Sequence, residues 1–371
     1  MEDGVLAIAE DRIAWVGPAE LYTGPAPLQV PPSCLVTPGF IDLHVHGGGG
    51  GSLCMPDAES MRRALRFHAA HGTVGLLATF RTAPLTEMAE TLAVVKAVQA
   101  EQARSVCGAD LLGVHLEGPW LNPKMAGGQV AELMRPPSAA EFDALADLGP
   151  VRWATVAPEL EGAEALIRRM RERHVRVAAG HTAARYDEMA AAARWGLDHC
   201  SHFYNAMCAL HHREPGTVGA GLTIPELHLE IIADGIHVHP AAIQLAYAAK
   251  GWRGISLVTD AVEFAGLPEG LYRRGTRLLR VGSAITLENG TLAGSGLTMN
   301  RAVGFLVDRV GIPVSEAVAM ASMVPAGRLG LGQRGALAPG YSADFAVLTS
   351  TWEVTMTVIR GQVAYEQALT D

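Results

Sequence analysis

The sequence lacks three features: paired cysteines, an excess of basic residues and a membrane-length apolar run. Its five cysteines are odd in number and without paired spacing, so no disulfide framework is expected. The net charge is −9 and no arginine–lysine run occurs, which argues against a nucleic-acid or anionic-membrane partner. Residues 1–4 do not resemble the start of a secretion signal, and no apolar run is long enough to span a membrane. We therefore predict a cytoplasmic protein.

Apolar residues, by contrast, are abundant. They make up 49% of the 371 residues, whereas charged residues make up 18%, so we expect a large buried core. The chain is long enough for one large domain and a smaller unit, and it contains no internal repeats, low-complexity tracts or long linkers.

The segment Asp42-Leu43-His44-Val45-His46 is the most informative part of the chain. It follows an apolar run at 35–41 that is typical of a buried strand, and it leads into five glycines at 47–51. Side chains two residues apart on a strand point the same way, so His44 and His46 can reach one common point. Two converging imidazoles are typical ligands of a divalent metal. Taken alone, the pair could equally be two polar residues that end a strand.

The same pattern recurs along the chain and favours the metal. Six short apolar runs end in histidine, glutamate or aspartate, and helix-like stretches such as 58–71, 161–173, 186–195 and 240–250 separate most of them. The polar residues at these ends are His44 and His46, Glu117, His181, His202, Asp234 with His237, and Asp260. Alternating strands and helices predict a parallel sheet.

Functional groups at six successive strand ends predict a closed (β/α)8 TIM barrel, whose active site lies at the carboxyl ends of the strands. An open doubly wound sheet would place its site at one switch point instead. We predict the barrel over 38–331, with a β insertion near 271–292. Apolar and polar residues alternate at both ends of the chain, which predicts a small β-sandwich domain formed by residues 1–37 and 332–371.

Each candidate residue also has a structural interpretation. His181 or His202 alone would be a hydrogen-bonded core histidine, and Glu117 alone would be a solvated loop acid. Their shared position at strand ends favours a metal site instead. Asp260 follows an apolar run, and a buried carboxylate beside a metal-bound water is suited to act as a general base.

The combined motifs closely resemble the N-acetylglucosamine-6-phosphate deacetylases, which are metal-dependent (β/α)8-barrel hydrolases of the amidohydrolase superfamily. The resemblance extends from about residue 4 to the end of the chain. The motifs that carry it are HLEGPW (115–120), AGHT (179–182), SHFYNAM (201–207), REPG (213–216), IADGIH (232–237), VTDA (258–261), TLAGSGLTM (291–299) and GYSAD (340–344).

The resemblance implies a role for each matching residue. Glu117, His181 and His202 would hold the principal metal, Asp260 would be the catalytic acid–base, and His237 would polarise the acetamide carbonyl. The implied substrate contacts are Gly128, Gln129, Asn205, Ala206, Arg213, Asp234, His237, Leu292, Ala293 and Gly294. The substrate would be N-acetyl-D-glucosamine 6-phosphate, hydrolysed to acetate and D-glucosamine 6-phosphate in amino-sugar catabolism and cell-wall recycling.

Metal content and oligomeric state follow from the same resemblance. His44 and His46 match the family branch that has a second metal site, so one or two divalent cations per chain are expected. Zinc or iron is the first choice, with manganese or cobalt as alternatives. Family members commonly borrow a phosphate contact from a neighbouring subunit, which predicts a homodimer.

The chain departs from the family pattern in two places. Many members have a Gly-Ala-His-like segment where this chain has Gly127-Gly128-Gln129, and glutamine cannot become cationic. The amino terminus is also about one strand shorter than expected. Three other functions remain open: an amidohydrolase acting on a cyclic amide or an N-acyl amino acid, a catalytically inactive barrel scaffold, and a sugar-phosphate isomerase or sensor.

Overall fold

The computed structural model of the protein describes residues 3–26, 30–31 and 33–367. Within these residues the strands, numbered in chain order, are β1 (Gly4–Ala9), β2 (Arg12–Pro18), β3 (Leu35–Pro38), β4 (Phe40–Val45), β5 (Gly47–Gly48), β6 (Gly51–Ser52), β7 (Thr73–Phe80), β8 (Asp110–Glu117), β9 (Val151–Val156), β10 (Arg176–Ala179), β11 (His199–Cys200), β12 (His228–Ile231), β13 (Ile255–Leu257), β14 (Gly270–Arg274), β15 (Arg277–Val281), β16 (Ile285–Leu287), β17 (Phe345–Leu348), β18 (Val354–Ile359) and β19 (Gln362–Glu366).

The α-helices lie mainly between the strands of the central sheet. They are α1 (Ala58–Ala69), α2 (Leu85–Gln102), α3 (Ala139–Ala146), α4 (Ala163–Glu172), α5 (Tyr186–Trp195), α6 (Gly216–Thr223), α7 (Pro240–Lys250), α8 (Met299–Phe305), α9 (Val314–Ala321) and α10 (Met323–Arg328). A π-helical turn, Leu306–Val310, continues α8, and short 3-10 turns cover Ala19–Leu21, Pro123–Met125, Ala131–Leu133 and Trp252–Gly254.

Eight parallel strands form the predicted barrel, in the order β4, β7, β8, β9, β10, β11, β12, β13. Beyond β13, the chain closes the ring against β4. The backbone N–H of Asp260 donates to the carbonyl oxygen of His44 at 2.8 Å, and the N–H of His46 donates to Ala261 at 2.8 Å. This confirms the predicted (β/α)8 class.

Helix α1 shows how the sequence builds the outer layer. Asp57 caps its first turn by accepting hydrogen bonds from the backbone N–H groups of Glu59 and Ser60. Met61, Ala64, Leu65, His68 and Ala69 are buried at spacings that place them on one face of the helix. That face packs on the barrel, and the polar face meets solvent.

The chain ends form sheets beside the barrel. The outer four-stranded sheet has the order β19, β18, β17, β3, and β1 pairs with β2 in a separate hairpin. Ile13 connects the hairpin to the late part of the chain, because its N–H donates to Tyr341 at 2.8 Å. These sheets fit the predicted β-sandwich. A three-stranded sheet, β14–β16, overlaps the segment of the predicted insertion, and the domain boundaries remain a prediction.

The apolar run at 35–41 does not form a single strand as predicted. It divides at Pro38 and Gly39 into β3, which pairs with β17 in the outer sheet, and β4, which starts the barrel. The N–H of Gly39 donates to Asp344 at this boundary. The residues of this run are mostly apolar on both sides of the break, so the pattern of side chains does not reveal that the two strands belong to different sheets.

Over the described ranges, no helix is both long and apolar enough to cross a membrane.

Candidate metal centre and active-site cavity

The carboxyl ends of the barrel strands bring the predicted residues to one cavity. His44 lies in β4, with His46 just after it, and Glu117 is the last residue of β8. His181, His202 and Asp260 follow β10, β11 and β13 within three residues. Because parallel strands end at the same face of a barrel, these side chains converge.

The first possible metal site consists of Glu117, His181 and His202. Oε1 of Glu117 lies 3.0 Å from Nε2 of His181 and 3.0 Å from Nε2 of His202. The two Nε2 atoms are 3.2 Å apart. All three residues are buried and each offers one ligand atom to a common point, as a divalent cation requires.

The second possible site shares Glu117 with the first. His44 and His46 direct their Nε2 atoms towards this carboxylate, at 3.4 Å from Oε1 and 3.4 Å from Oε2 respectively. These three residues are also buried with their ligand atoms close together. Glu117 therefore belongs to both clusters, and its carboxylate would be shared if each cluster held a cation.

Hydrogen bonds fix the orientation of two of these histidines. Nδ1 of His46 lies 2.9 Å from the carbonyl oxygen of Thr79, and Nδ1 of His181 lies 2.8 Å from that of Met125. A carbonyl only accepts, so each Nδ1 carries the proton. In the neutral ring, Nε2 then has a free lone pair directed into its cluster, which fits a metal ligand.

The carboxylates give the centre an excess of negative charge. Burial lowers the pKa of His44, but the charge and hydrogen bond of Glu117, with Glu230 and Asp260, raise it to about 10. Burial raises the pKa of Asp260, but the hydrogen bond from His46 and the charges of His44 and His46 lower it to about 2. The site therefore attracts cations, whether protons or metal ions.

Asp260 lies beside the second cluster without belonging to either. Its Oδ1 is 3.2 Å from Nε2 of His46 and 3.8 Å from Nε2 of His44. Its side chain is 13% exposed, and it lines the cavity. An ionised carboxylate in this place can accept a proton from a nucleophile bound between the histidines and the cavity.

His237 lies on the cavity wall with Asp234 behind it. Nδ1 of His237 donates to Oδ2 of Asp234 at 2.6 Å, and Oδ1 accepts the backbone N–H of His237 at 2.8 Å. Burial lowers the pKa of His237, but the hydrogen bond and charge of Asp234 raise it above its usual value. Asp234 thereby favours the protonated imidazole, in which Nε2 can donate a hydrogen bond.

The cavity has a volume of about 380 Å³, within the usual range of about 300–1,000 Å³ for small-molecule sites. Most of the predicted substrate contacts line it: Gly128, Gln129, Asn205, Ala206, His237, Leu292, Ala293 and Gly294. His44 is fully buried beneath the cavity floor.

Gln129 contacts a predicted metal ligand directly. Its Nε2 donates to Oε2 of Glu117 at 2.5 Å, and its Oε1 accepts the backbone N–H of Thr82 at 2.9 Å. The second bond fixes which end of the amide faces Glu117. Gln129 therefore orients the shared carboxylate in addition to lining the cavity.

Arg213 does not line the cavity within this chain. It is exposed, and its Nη1 lies 2.8 Å from Nε2 of His212. The wall instead carries Arg81 and Arg274, which both bond to Glu263; Arg274 does so through two atoms, at 2.6 and 2.8 Å. This cluster was not predicted, because Arg81 lies 182 residues from Glu263 in the sequence.

Several site residues have strained backbones. His181, His202 and Asp260 have φ values of 46°, 30° and 49°, in the left-handed region that non-glycine residues rarely adopt. Such conformations concentrate at functional sites, where the surrounding structure enforces them. Here they follow directly after barrel strands and turn the side chains into the cavity.

Glu230 was not among the predicted site residues. This residue lies within β12 and is fully buried, with Oε2 3.1 Å from Nδ1 of His44. A carboxylate inside the apolar run 229–233 was the available signal, because a buried carboxylate requires a partner. The sequence could not identify that partner.

Comparison with known proteins gives consistent matches. The family model described as "Amidohydrolase family" matches residues 35–364. An N-acetylgalactosamine-6-phosphate deacetylase from Escherichia coli O157:H7 is 40% identical, covering 98% of this chain and 95% of that protein. An N-acetylglucosamine-6-phosphate deacetylase from Bacillus subtilis is 34% identical, with 98% and 93% coverage. The structure of a Mycobacterium smegmatis N-acetyl-D-glucosamine-6-phosphate deacetylase variant in complex with N-acetyl-D-glucosamine-6-phosphate matches with a TM-score of 0.88 and 34% identity, over 97% and 94% of the two chains.

Proposed function

Because the chain belongs to the amidohydrolase family, we propose that it hydrolyses the acetamide of N-acetyl-D-glucosamine 6-phosphate, releasing acetate and D-glucosamine 6-phosphate. The observation that carries this proposal is the convergence of two histidine–glutamate clusters on Glu117, beside a cavity that also presents Asp260 and His237. The names of the full-length relatives support the choice of substrate.

One divalent cation would be held by Glu117, His181 and His202. A second would be held by His44, His46 and Glu117. When bound, such a cation lowers the pKa of a coordinated water from about 15.7 to near 7, so that a nucleophile is available at neutral pH. Nitrogen and carboxylate ligands suit zinc or iron, and also manganese or cobalt.

Asp260 and His237 would divide the proton transfer and the charge stabilisation. Asp260 accepts the proton of the attacking water and returns it to the departing amine, because an unprotonated amide nitrogen is a poor leaving group. His237 donates from Nε2 to the acetamide oxygen as negative charge develops there. One such donor contributes roughly 3–4 kcal/mol to transition-state stabilisation.

The sugar phosphate would bind to cavity-lining residues of two segments, Asn205 with Ala206 and residues 292–294. Arg213 would complete the phosphate site of a neighbouring subunit in a homodimer, since it lies outside the cavity of its own chain. A monomer, measured by light scattering, that kept full activity at high dilution would refute this shared site.

A second candidate substrate is N-acetyl-D-galactosamine 6-phosphate. It is favoured by the 40% identity to the E. coli enzyme that bears this name. The two sugars differ only in the configuration of one hydroxyl group, and both place an acetamide and a phosphate in the same relation. The choice between them depends on contacts of that hydroxyl with the cavity wall.

The test is acetate release from both phosphorylated sugars and from unphosphorylated N-acetylglucosamine, before and after chelation. We expect turnover of a phosphorylated sugar, loss of activity on chelation and partial recovery with zinc, iron or cobalt. Full activity of metal-free protein would contradict the proposal. Hydrolysis of N-acyl amino acids or cyclic amides alone would indicate another amidohydrolase, and no hydrolysis by metal-loaded protein would indicate a scaffold.

A further inference from the structure

Glu230 is a carboxylate enclosed in the barrel interior. It lies in β12 between Leu229 and Ile231, and its side chain is 0% exposed. Burying a carboxylate is costly unless a partner compensates its charge. A residue of this kind in an apolar strand therefore needs a specific reason to be there.

Its partner is a predicted metal ligand. Nδ1 of His44 donates to Oε2 of Glu230 at 3.1 Å. Among the residues that the structure describes, no group donates to Oε1 of Glu230. On the opposite side of the ring, Nε2 of His44 faces Glu117. The imidazole thus lies between one buried carboxylate and the shared ligand of the two clusters.

The other ligand histidines are oriented differently. His46 and His181 donate from Nδ1 to backbone carbonyls, and Nδ1 of His202 has no partner within the described part of the chain. His44 alone of these four has a carboxylate as the partner of its Nδ1. A carboxylate fixes the ring and its tautomer as a carbonyl does, and it also increases the basicity of the ligand nitrogen.

The charges lead to the same conclusion. Glu117, Asp260 and Glu230 all lie within 4 Å of a His44 nitrogen. Three carboxylates carry more negative charge than one divalent cation neutralises. A second cation, at the His44–His46–Glu117 cluster, would compensate the remainder.

We propose that Glu230 is the positioning residue that determines whether the His44–His46–Glu117 cluster holds a metal ion. It acts through His44 and does not touch the substrate cavity. The proposal rests on the proposed function only in requiring a metal centre, and it makes no use of the identity of the sugar.

The experiment measures zinc bound per chain by elemental analysis after equilibration with buffered free zinc. The variant Glu230→Gln keeps the size of the side chain and removes its charge. We expect wild-type protein to fill both clusters, and Glu230→Gln to lose roughly 10- to 100-fold in affinity at one of them. The other cluster should be unchanged. Cobalt-loaded protein should show the same loss in its visible spectrum.

A matched control is Asp198→Asn. Asp198 is a partly buried acid whose Oδ1 lies 2.6 Å from Nδ1 of buried His199, and neither residue belongs to the two clusters. It should leave zinc binding unchanged. If Glu230→Gln does not fold, Glu230→Asp retains the charge at a greater distance and should show a smaller loss at the same cluster.

Unchanged zinc affinity in Glu230→Gln would overturn the proposal. If that variant does not fold, unchanged affinity in Glu230→Asp would do the same. Wild-type protein that fills only one cluster would also overturn it, and with either result the role of Glu230 would be limited to its hydrogen bond with His44. If the zinc affinities are as expected but the protein hydrolyses neither sugar phosphate, the proposed function is refuted and this inference stands.

Discussion

Asp260→Asn is the substitution that most directly tests the proposed chemistry. Asparagine has nearly the same size as aspartate and can still hydrogen-bond, but it cannot accept the proton of the attacking water. Asp260 belongs to neither of the two metal clusters, so the variant should keep its metal. The effect on catalysis is thereby separated from loss of the metal.

The expected magnitude follows from the position of Asp260. Its pKa of about 2 keeps the carboxylate ionised, and therefore available as a base, throughout the neutral range. Loss of a positioned acid–base costs about 10²- to 10⁴-fold in rate, equivalent to roughly 3–5 kcal/mol of transition-state stabilisation. KM should change little, because the residues proposed to contact the sugar phosphate lie elsewhere in the cavity.

The assay is acetate release from N-acetyl-D-glucosamine 6-phosphate, with metal content determined on the same preparation. Asp198→Asn serves as the control, since it removes the charge of an acid that contacts a histidine away from the cavity. Near-normal turnover by Asp260→Asn with its metal in place would refute the assignment, and another residue would have to carry the proton.

Three further predictions test other contacts of the site. Gln129→Met should weaken metal binding by about 10- to 100-fold at buffered free zinc, since it removes the hydrogen bond to Glu117; unchanged affinity would limit Gln129 to substrate contact. Asp234→Asn should lower the pKa of His237, because Asp234 raises it in the wild-type protein. The alkaline limb of the kcat–pH profile should therefore move to lower pH. If that limb does not move, the cationic form of His237 is not required. Arg213→Ala should raise KM for the phosphorylated sugar far more than for its dephosphorylated form, whereas equal losses would assign Arg213 a structural role in its loop.

Sequence patterns predicted the barrel because its repeating unit is local. Each unit is a strand followed by a helix, and the polar residue at the strand end identifies the functional face. His44 and His46 were predicted to converge because a strand has a period of two, and both indeed face Glu117.

Contacts between distant segments could not be predicted in the same way. Glu230 and His44 are 186 residues apart, and Arg81 and Glu263 are 182 apart. Each member looks ordinary in its own segment, and only closure of the barrel brings the pairs together. Arg213 illustrates the converse: its motif is a local match to the family, but its side chain contacts His212 and does not line the cavity of its own chain.

The left-handed backbones of His181, His202 and Asp260 bear on how this protein can evolve. Each such conformation costs about 1–3 kcal/mol, and glycine would relieve the strain. The contacts of the three side chains oppose that exchange, because His181 and His202 are buried against Glu117 and Asp260 lies 3.2 Å from His46. Backbone strain and site chemistry are therefore tied together at these positions: a glycine that relieved the strain would remove a residue of the two clusters or the carboxylate beside them.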